Sequence, residues 1–250
     1  MKILEVNRVS KFFGGLVAVS DVSFHIGPGE LVGLIGPNGA GKSTLFNLIS
    51  GVYQPNRGRI IFKNQNITGL KTHAISRKGL ARSFQSNTFF SSMTVFENVE
   101  LACFHGSMTR ASHLWGMTAM KRNADGIKDE AMEVLRLVGL DDVSELMVTE
   151  LPHGAQRLVG IAIALATKAE LLLLDEPVCG MNAEETEKVM DLLRDLRKRG
   201  IASLVVEHNM RAVMSTCERL IVLDHGRKIA EGLPEEIKQN KAVINAYLGK

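Results

Sequence analysis

Gly36-Pro37-Asn38-Gly39-Ala40-Gly41-Lys42-Ser43-Thr44 fills every fixed position of the phosphate-binding pattern G-x-x-x-x-G-K-[ST]. The apolar run Leu31-Val32-Gly33-Leu34-Ile35 before it reads as a buried strand. Leu45, Leu48 and Ile49 follow at helical spacing, and Gly51 supplies a stop. Strand, glycine loop and helix in that order make a phosphate cradle. The glycines at 36, 39 and 41 let backbone N–H groups point inward, where a side chain would block a phosphate. The helix directs its positive end at the same spot. Lys42 adds a full charge near the β- and γ-phosphates, and the Ser43 hydroxyl is placed to hold Mg²⁺. The stretch implies an α/β chain that binds a nucleoside triphosphate.

A second motif complements it. Leu171-Leu172-Leu173-Leu174-Asp175-Glu176 reads as a buried parallel strand ending in two acids. Ligands of open α/β sheets sit at the C-terminal edge of such strands. Asp175 can hold Mg²⁺ through water, while Glu176, one residue on, can polarise an attacking water. His208, just past the strand Ile201–Val206, can reach a γ-phosphate from the same edge. Gln85 ends the strand Leu80–Phe84 and can touch metal or water.

Elsewhere, residues 3–8 and 17–26 alternate like strands of an antiparallel sheet. Lys11-Phe12-Phe13-Gly14-Gly15 between them reads as a loop whose aromatics can offer a flat face to a base. A strand at 59–62, a turn at 64–66 and a short basic helix at 72–78 follow. Thr94 and Glu97 form a capping box for a helix through about Cys103. Residues 104–126, with Met108, Leu114, Trp115, Met117 and Met120, fit either an amphipathic docking stretch or a sub-lobe packed on itself, the second being the commoner use. An amphipathic helix is expected at 127–138, a charged helix at about 183–199, and another helix at roughly 209–216. Leu151 to Arg157 reads as a loop before an apolar helix at 158–167. Two strands flank a turn at His225-Gly226, and Pro234 opens a helical tail.

Composition sets limits. With 250 residues, 45% of them hydrophobic, the chain can bury a full α/β core. The net charge of +3 is mild, and Arg197-Lys198-Arg199 sits at a helix end where cations suit the dipole, so no nucleic-acid partner is expected. Cys103, Cys179 and Cys217 show no metal spacing and suggest a reducing compartment. Lys2-Ile3-Leu4-Glu5 enters a strand pattern directly, so no targeting signal is expected, and no apolar run approaches the ~20 residues of a membrane span.

The order of phosphate loop, Gln85, Leu151–Gln156, Leu171–Glu176 and His208 resembles the ATP-binding subunit of ABC transporters over essentially the whole chain. Phe13-Gly14-Gly15-Leu16, Ala81–Gln85, Met93–Val99, Gly180-Met181-Asn182 and the end Ala230–Leu248 are similar to the Liv-type importers of branched-chain amino acids. The segment 104–126 is similar to an insert of the LivG-type subunit. The resemblance implies a P-loop NTPase of the ABC type with a mixed central sheet, an N-terminal antiparallel β-subdomain and a helical subdomain. It divides the chain into a RecA-like core (1–85 and 158–232), a helical subdomain (about 86–157) and a tail (233–250). It makes Phe13 the aromatic that stacks on adenine, Gln85 the glutamine that senses Mg²⁺ and the membrane subunit, Glu176 the base and His208 the switch histidine. Leu151, Pro152, His153, Gly154, Ala155 and Gln156 become the signature that completes a second subunit's ATP site. The implied partners are a second ATPase (an identical copy or a LivF-type companion), two permease subunits at the cytoplasmic face of the cell membrane, and indirectly a solute-binding protein. Their expected surface is Gln85 and residues 86–100.

The signature departs from the general LSGGQ. Pro152 replaces the serine, which is usual in the Liv-type group, and His153 stands where that group often has tyrosine. Ala155 replaces the glutamine, and Gly160 and Ile163 stand where the family tends to have glutamate and arginine. Gly154 is retained, so ATP hydrolysis is still expected. Two other readings remain at this point. A soluble ABC-type ATPase of translation or repair would carry two cassettes or a long coiled-coil insert. A GTPase would need an Asn-Lys-x-Asp reader, which Asn240-Lys241-Ala242-Val243 is not, and a small-molecule kinase would not need a signature. Urea, amides and aromatic acids are alternative solutes.

Overall fold

The computed structural model describes residues 1–83, 89–110 and 117–248. The chain begins with a hairpin whose alternation breaks in each strand. Strand β1 (Leu4–Phe13) pairs antiparallel with β2 (Leu16–Ile26). Leu4 and Val6 point inward and then Val9, while on the facing strand Val19 is followed by Val22, Phe24 and Ile26. The odd steps contain Arg8 and Asp21, both at positive φ (46° and 52°), where the ladder shifts and the inward face is reset. Strand β3 (Leu31–Ile35), the phosphate loop and helix α1 (Lys42–Ile49) follow, then β4 (Arg57–Phe62) and the short β5 (Gln65–Asn66). These outer strands form a four-stranded sheet in the order β2-β1-β4-β5. Gly58 closes it: a Cβ there would lie 2.3 Å from the Arg8 carbonyl oxygen.

Helix α2 (Thr72–Ser76) and strand β6 (Leu80–Ser83) lead into α3 (Val95–Arg110), α4 (Met117–Val138) and α5 (His153–Ala166). The chain then alternates through β7 (Leu171–Asp175), α6 (Ala183–Lys198), β8 (Ala202–Val206), α7 (Met210–Thr216), β9 (Arg219–Asp224) and β10 (Arg227–Gly232), and ends in α8 (Pro234–Gln239) and α9 (Lys241–Leu248). The six-stranded central sheet has the order β10-β9-β3-β8-β7-β6, and only β10 runs antiparallel to its neighbour. It is therefore mixed, as expected.

Both faces of this sheet are covered, which is why its strands read as continuous apolar runs. Leu171 and Leu173 join the core shared with the outer sheet and α1, whereas Leu172 and Leu174 join the core shared with α3 to α7. Ile221 and Leu223 divide from Leu220 and Val222 in the same way. Gly33 lets α7 sit close on β3: a Cβ there would meet Val213 at 2.8 Å and Leu220 at 2.6 Å.

The structure corrects several expectations. Phe12 and Phe13 belong to β1 rather than a loop. Residues His153 to Arg157 form the first turn of α5, so the helix starts five residues before the expected 158. Residues 64–66 hold a turn and then β5. The segment 104–126 is helical at 104–110 and 117–126, as extensions of α3 and α4, while Leu114 and Trp115 lie outside the described residues. Helix α3 runs past the expected end near Cys103 and through Gly106, which marks a close crossing. A Cβ on it would lie 2.8 Å from the Ala166 carbonyl at the end of α5. Gln85 also lies outside the described residues.

Candidate functional site

The phosphate loop is clamped between β2 and the β9–β10 turn by contacts that only glycine permits. A Cβ on Gly41 (φ 98°) would come within 2.5 Å of the Ala18 carbonyl oxygen, and one on Gly36 within 2.1 Å of that of Leu223. The Gly226 N–H donates to the Ala40 carbonyl at 3.0 Å, and the Ser20 N–H donates to Gly226 at 2.8 Å. Lys42 is only 7% exposed, and its ammonium donates to the carbonyls of Gly36 (2.7 Å) and Pro37 (3.0 Å). Burial pulls the Lys42 pKa down, while the charges of Glu176 and Asp175 pull it back up. A phosphate brings anionic oxygens that compete for this ammonium with far stronger attraction than the neutral carbonyls.

Above the loop lies a cavity of about 510 Å³. Residues 38–44 form its floor, Leu16, Val17 and Ala18 one wall, and Glu176, Val206, His208 and His225 the others. The walls from β2 and His225 were not expected. The only sequence signal for them is the demand of Gly41 and Gly226 for a close neighbour.

The two acids at the end of β7 part company. Asp175 completes the strand and is 6% exposed, whereas Glu176 turns the chain with φ 51° and reaches the cavity. A left-handed conformation costs a non-glycine residue about 1–2 kcal/mol. Here it is held from both sides. The Glu176 N–H donates to Val206 at 2.8 Å, and Arg157 of α5 donates to the Glu176 carbonyl at 2.8 Å. Glu176 Oε1 lies 3.2 Å from His208 Nε2. The structure thus joins two residues that are far apart in sequence, both named from the sequence.

Asp175 has a partner that the sequence reading missed. Arg82 Nη2 lies 2.9 Å from Asp175 Oδ2, and both side chains are buried, at 9% and 6% exposure. Arg82 Nη1 also donates to Asn47 Oδ1 (2.6 Å) and Ser50 Oγ (3.1 Å), which ties the sheet edge to α1. The available signal was a lone arginine inside the strand Leu80-Ala81-Arg82-Ser83, since a buried cation requires a buried acid.

Other predicted residues stand apart. None of Leu151, Pro152, His153, Gly154, Ala155 or Gln156 lines the cavity. Pro152 caps α5 without a side-chain bond, and Gln156 bonds back to Leu151 through its side chain at 2.8 Å. The first N–H groups of α5, having no intrahelical acceptor, can meet an anion from outside. Phe13 is 41% exposed, edge-on to Tyr53 at 5.4 Å, with the Lys11 ammonium 5.1 Å from its ring centre. It does not line the cavity, but its ladder partner Leu16 does.

Among the described residues no three His, Cys, Asp or Glu side chains cluster as metal ligands. Mg²⁺ does not require such a cluster, because it takes one or two carboxylates together with water and substrate phosphates. Ser43 lines the cavity and offers an oxygen of that kind, whereas Asp175 does not line it and is paired with Arg82.

Comparison with known proteins adds the following. The family model described as ABC transporter matches residues 19–179, and one described as branched-chain amino acid ATP-binding cassette transporter matches residues 227–250. The high-affinity branched-chain amino acid transport ATP-binding protein LivG of Escherichia coli (strain K12) is 38% identical over 250 residues, covering 99% of this chain and 98% of the relative. A crystal structure of a nucleotide-free ATP-binding cassette from an ABC transporter superposes with a TM-score of 0.85 at 29% identity, covering 100% of both chains. A dimeric ATP-binding cassette in a post-hydrolysis state, bound to ADP and Pi, superposes with a TM-score of 0.78 at 26% identity, covering 92% of this chain and 98% of the other.

Proposed function

The chain belongs to the ABC transporter family of ATP-binding cassettes, and from that premise we propose that it is the ATP-hydrolysing subunit of an importer for branched-chain amino acids. The observation that carries hydrolysis is the 3.2 Å contact between Glu176 and His208 at the wall of the Lys42 cavity. The N–H groups of the phosphate loop and the Lys42 ammonium hold the triphosphate. Phe13, beside the rim, is the platform for adenine. Glu176 takes the proton from the attacking water as the new P–O bond forms, and ADP leaves with the bridging oxygen. His208 orients the Glu176 carboxylate and meets the γ-phosphate. Ser43 and Asp175, with Gln85, are the residues to hold Mg²⁺, which when bound neutralises charge on the β- and γ-phosphates.

The signature Leu151–Gln156 lies outside the cavity of its own chain, so a second cassette supplies that half of the site, as an identical copy or a LivF-type companion. A cassette of the same fold is dimeric. Closure of the dimer drives two permease subunits docked on the helical subdomain at 86–157, around Gln85 and residues 86–100, and a solute-binding protein feeds them. No helix among the described residues is long and apolar enough to cross a membrane; in this reading the permeases hold the chain at the cytoplasmic face of the membrane. The solute assignment rests on the full-length similarity to LivG and on the match at residues 227–250, because the ATPase itself never touches the solute.

The test compares ATP turnover of the wild type with Glu176→Gln. The variant loses about 10²–10⁴-fold in turnover, the usual worth of a general base, and accumulates as an ATP-bound dimer in size-exclusion chromatography. Unchanged turnover overturns the assignment. Uptake of leucine against urea and an aromatic acid, by the chain reassembled with permeases encoded beside it, decides the solute.

A further inference from the structure

Two segments bring Glu176 and His208 together. One is the turn after β7, which carries Glu176 and runs on through Val178. The other follows β8 and carries His208. Glu207 stands between them. Its side chain is 4% exposed and does not line the cavity. Oε1 accepts the Val178 N–H at 2.8 Å, and Oε2 accepts the His208 N–H at 3.1 Å and, at longer range, the Asn209 N–H at 3.5 Å. Each carboxylate oxygen therefore holds a different segment. Burial raises the Glu207 pKa and the charge of Glu176 raises it further, against which the N–H groups of Val178, Asn209 and His208 pull it down. An apolar side chain of the same size would avoid that burden, but it would leave the Val178 and His208 amides without these acceptors. A buried acid bonded to both segments is what a fixed spacing between them requires.

We infer that Glu207 is a positioning residue whose carboxylate locks the Glu176 turn to the His208 segment and so sets the 3.2 Å contact between the two side chains. The inference rests on the ATPase reading above. It makes Glu207 act through His208 and Glu176, without contact to ATP. Glu207→Gln keeps the shape and one acceptor but loses the second and the charge. Turnover of this variant falls about tenfold or more, while KM for ATP moves less than about twofold, as expected when only the hydrolytic geometry is disturbed. In a His208→Ala background the same substitution adds little, because the residue through which it acts is gone. Glu207→Asp, which keeps the charge on a shorter arm, restores part of the loss. A purely structural role predicts the opposite pattern: a lower melting temperature, unchanged kcat per folded molecule, and equal effects with and without His208. That pattern, or a Glu207→Gln variant with wild-type kcat, overturns the inference. Should Glu207→Gln fail to fold, Glu207→Asp in both backgrounds gives the same decision. Amide hydrogen exchange separates this inference from the ATPase reading. Faster exchange at Val178 and His208 in the variant supports the lock and unchanged exchange refutes it, whereas a wild type without ATP turnover refutes only the proposed function.

Discussion

Removing the Arg82 charge tests the buried pair that fastens Asp175. Arg82→Met keeps much of the length and the apolar packing over Phe46, whose ring centre lies 5.6 Å from the guanidinium, while deleting every charged bond. Asp175 is left buried without its cation, and Asn47 and Ser50 lose their donor. Breaking a buried ion pair from one side costs about 3–5 kcal/mol. That is a large part of a total stability of about 5–15 kcal/mol. For a chain of this size each kcal/mol moves the melting temperature by about 2–4 °C, so the expected fall is about 6–20 °C. The assays are thermal melting and urea unfolding, each followed by far- and near-ultraviolet circular dichroism, with coincident curves required before a free energy is taken. Asp175→Asn is measured alone and combined with Arg82→Met. Because the second substitution removes the stranded charge, the double variant loses at least about 1 kcal/mol less than the sum of the single variants. Additive losses, or a fall below about 2 °C, would refute the claim that this pair is energetically coupled.

Three further outcomes are expected. Gly41→Ala places a Cβ 2.5 Å from the Ala18 backbone at φ 98°. The left-handed cost of about 1–2 kcal/mol and an overpacking cost of about 1–3 kcal/mol together destabilise the loop. ATP affinity measured by calorimetry falls with them, and unchanged affinity contradicts the clamp. Glu207 has a folded pKa above its ordinary 4.5, because burial disfavours its charged form. Between those two values the folded chain holds a proton that the unfolded chain has released, so the wild type loses stability as pH rises through that window. Glu207→Gln does not titrate, so its stability relative to wild type improves from about pH 4.5 upward, as read from urea midpoints, and the opposite slope would sink the assignment. Burial pushes the Cys103 and Cys217 thiols up to about 12, while Cys179 is exposed. One of the three cysteines therefore reacts rapidly with an aromatic disulfide reagent at pH 8 in the native protein, and all three react in urea. Two fast native thiols would contradict the burial.

What could be read from the linear chain followed a local rule. The phosphate loop was legible because its glycines, lysine and serine act within nine consecutive residues. The run Leu171–Leu174 was legible because a strand covered on both faces has no polar positions. Boundaries failed where a distant contact supplied the missing energy. α5 begins at His153 although Gly154 lies in its first turn, where a Cβ would only touch Met181 and Glu185. α3 runs through Gly106 because a helix crossing requires a small residue there. Phe13 extends β1 because Leu16 pairs with it across the hairpin.

The sequence by itself determined that a phosphate loop spans Gly36 to Thr44, that two acids end the strand at Leu171–Leu174, and that the architecture is α/β, since each follows from residue types at short fixed spacings. Only the tertiary structure decided which acid faces which partner. Backbone turning at Glu176 gives that residue to the cavity and His208, and gives Asp175 to Arg82. Glu207 emerged the same way, as one carboxylate bonded to the N–H groups of both Val178, 29 residues before it, and His208, the next residue. Pairings of this kind depend on where strands β6, β7 and β8 lie side by side, and a spacing along the chain carries no record of that order.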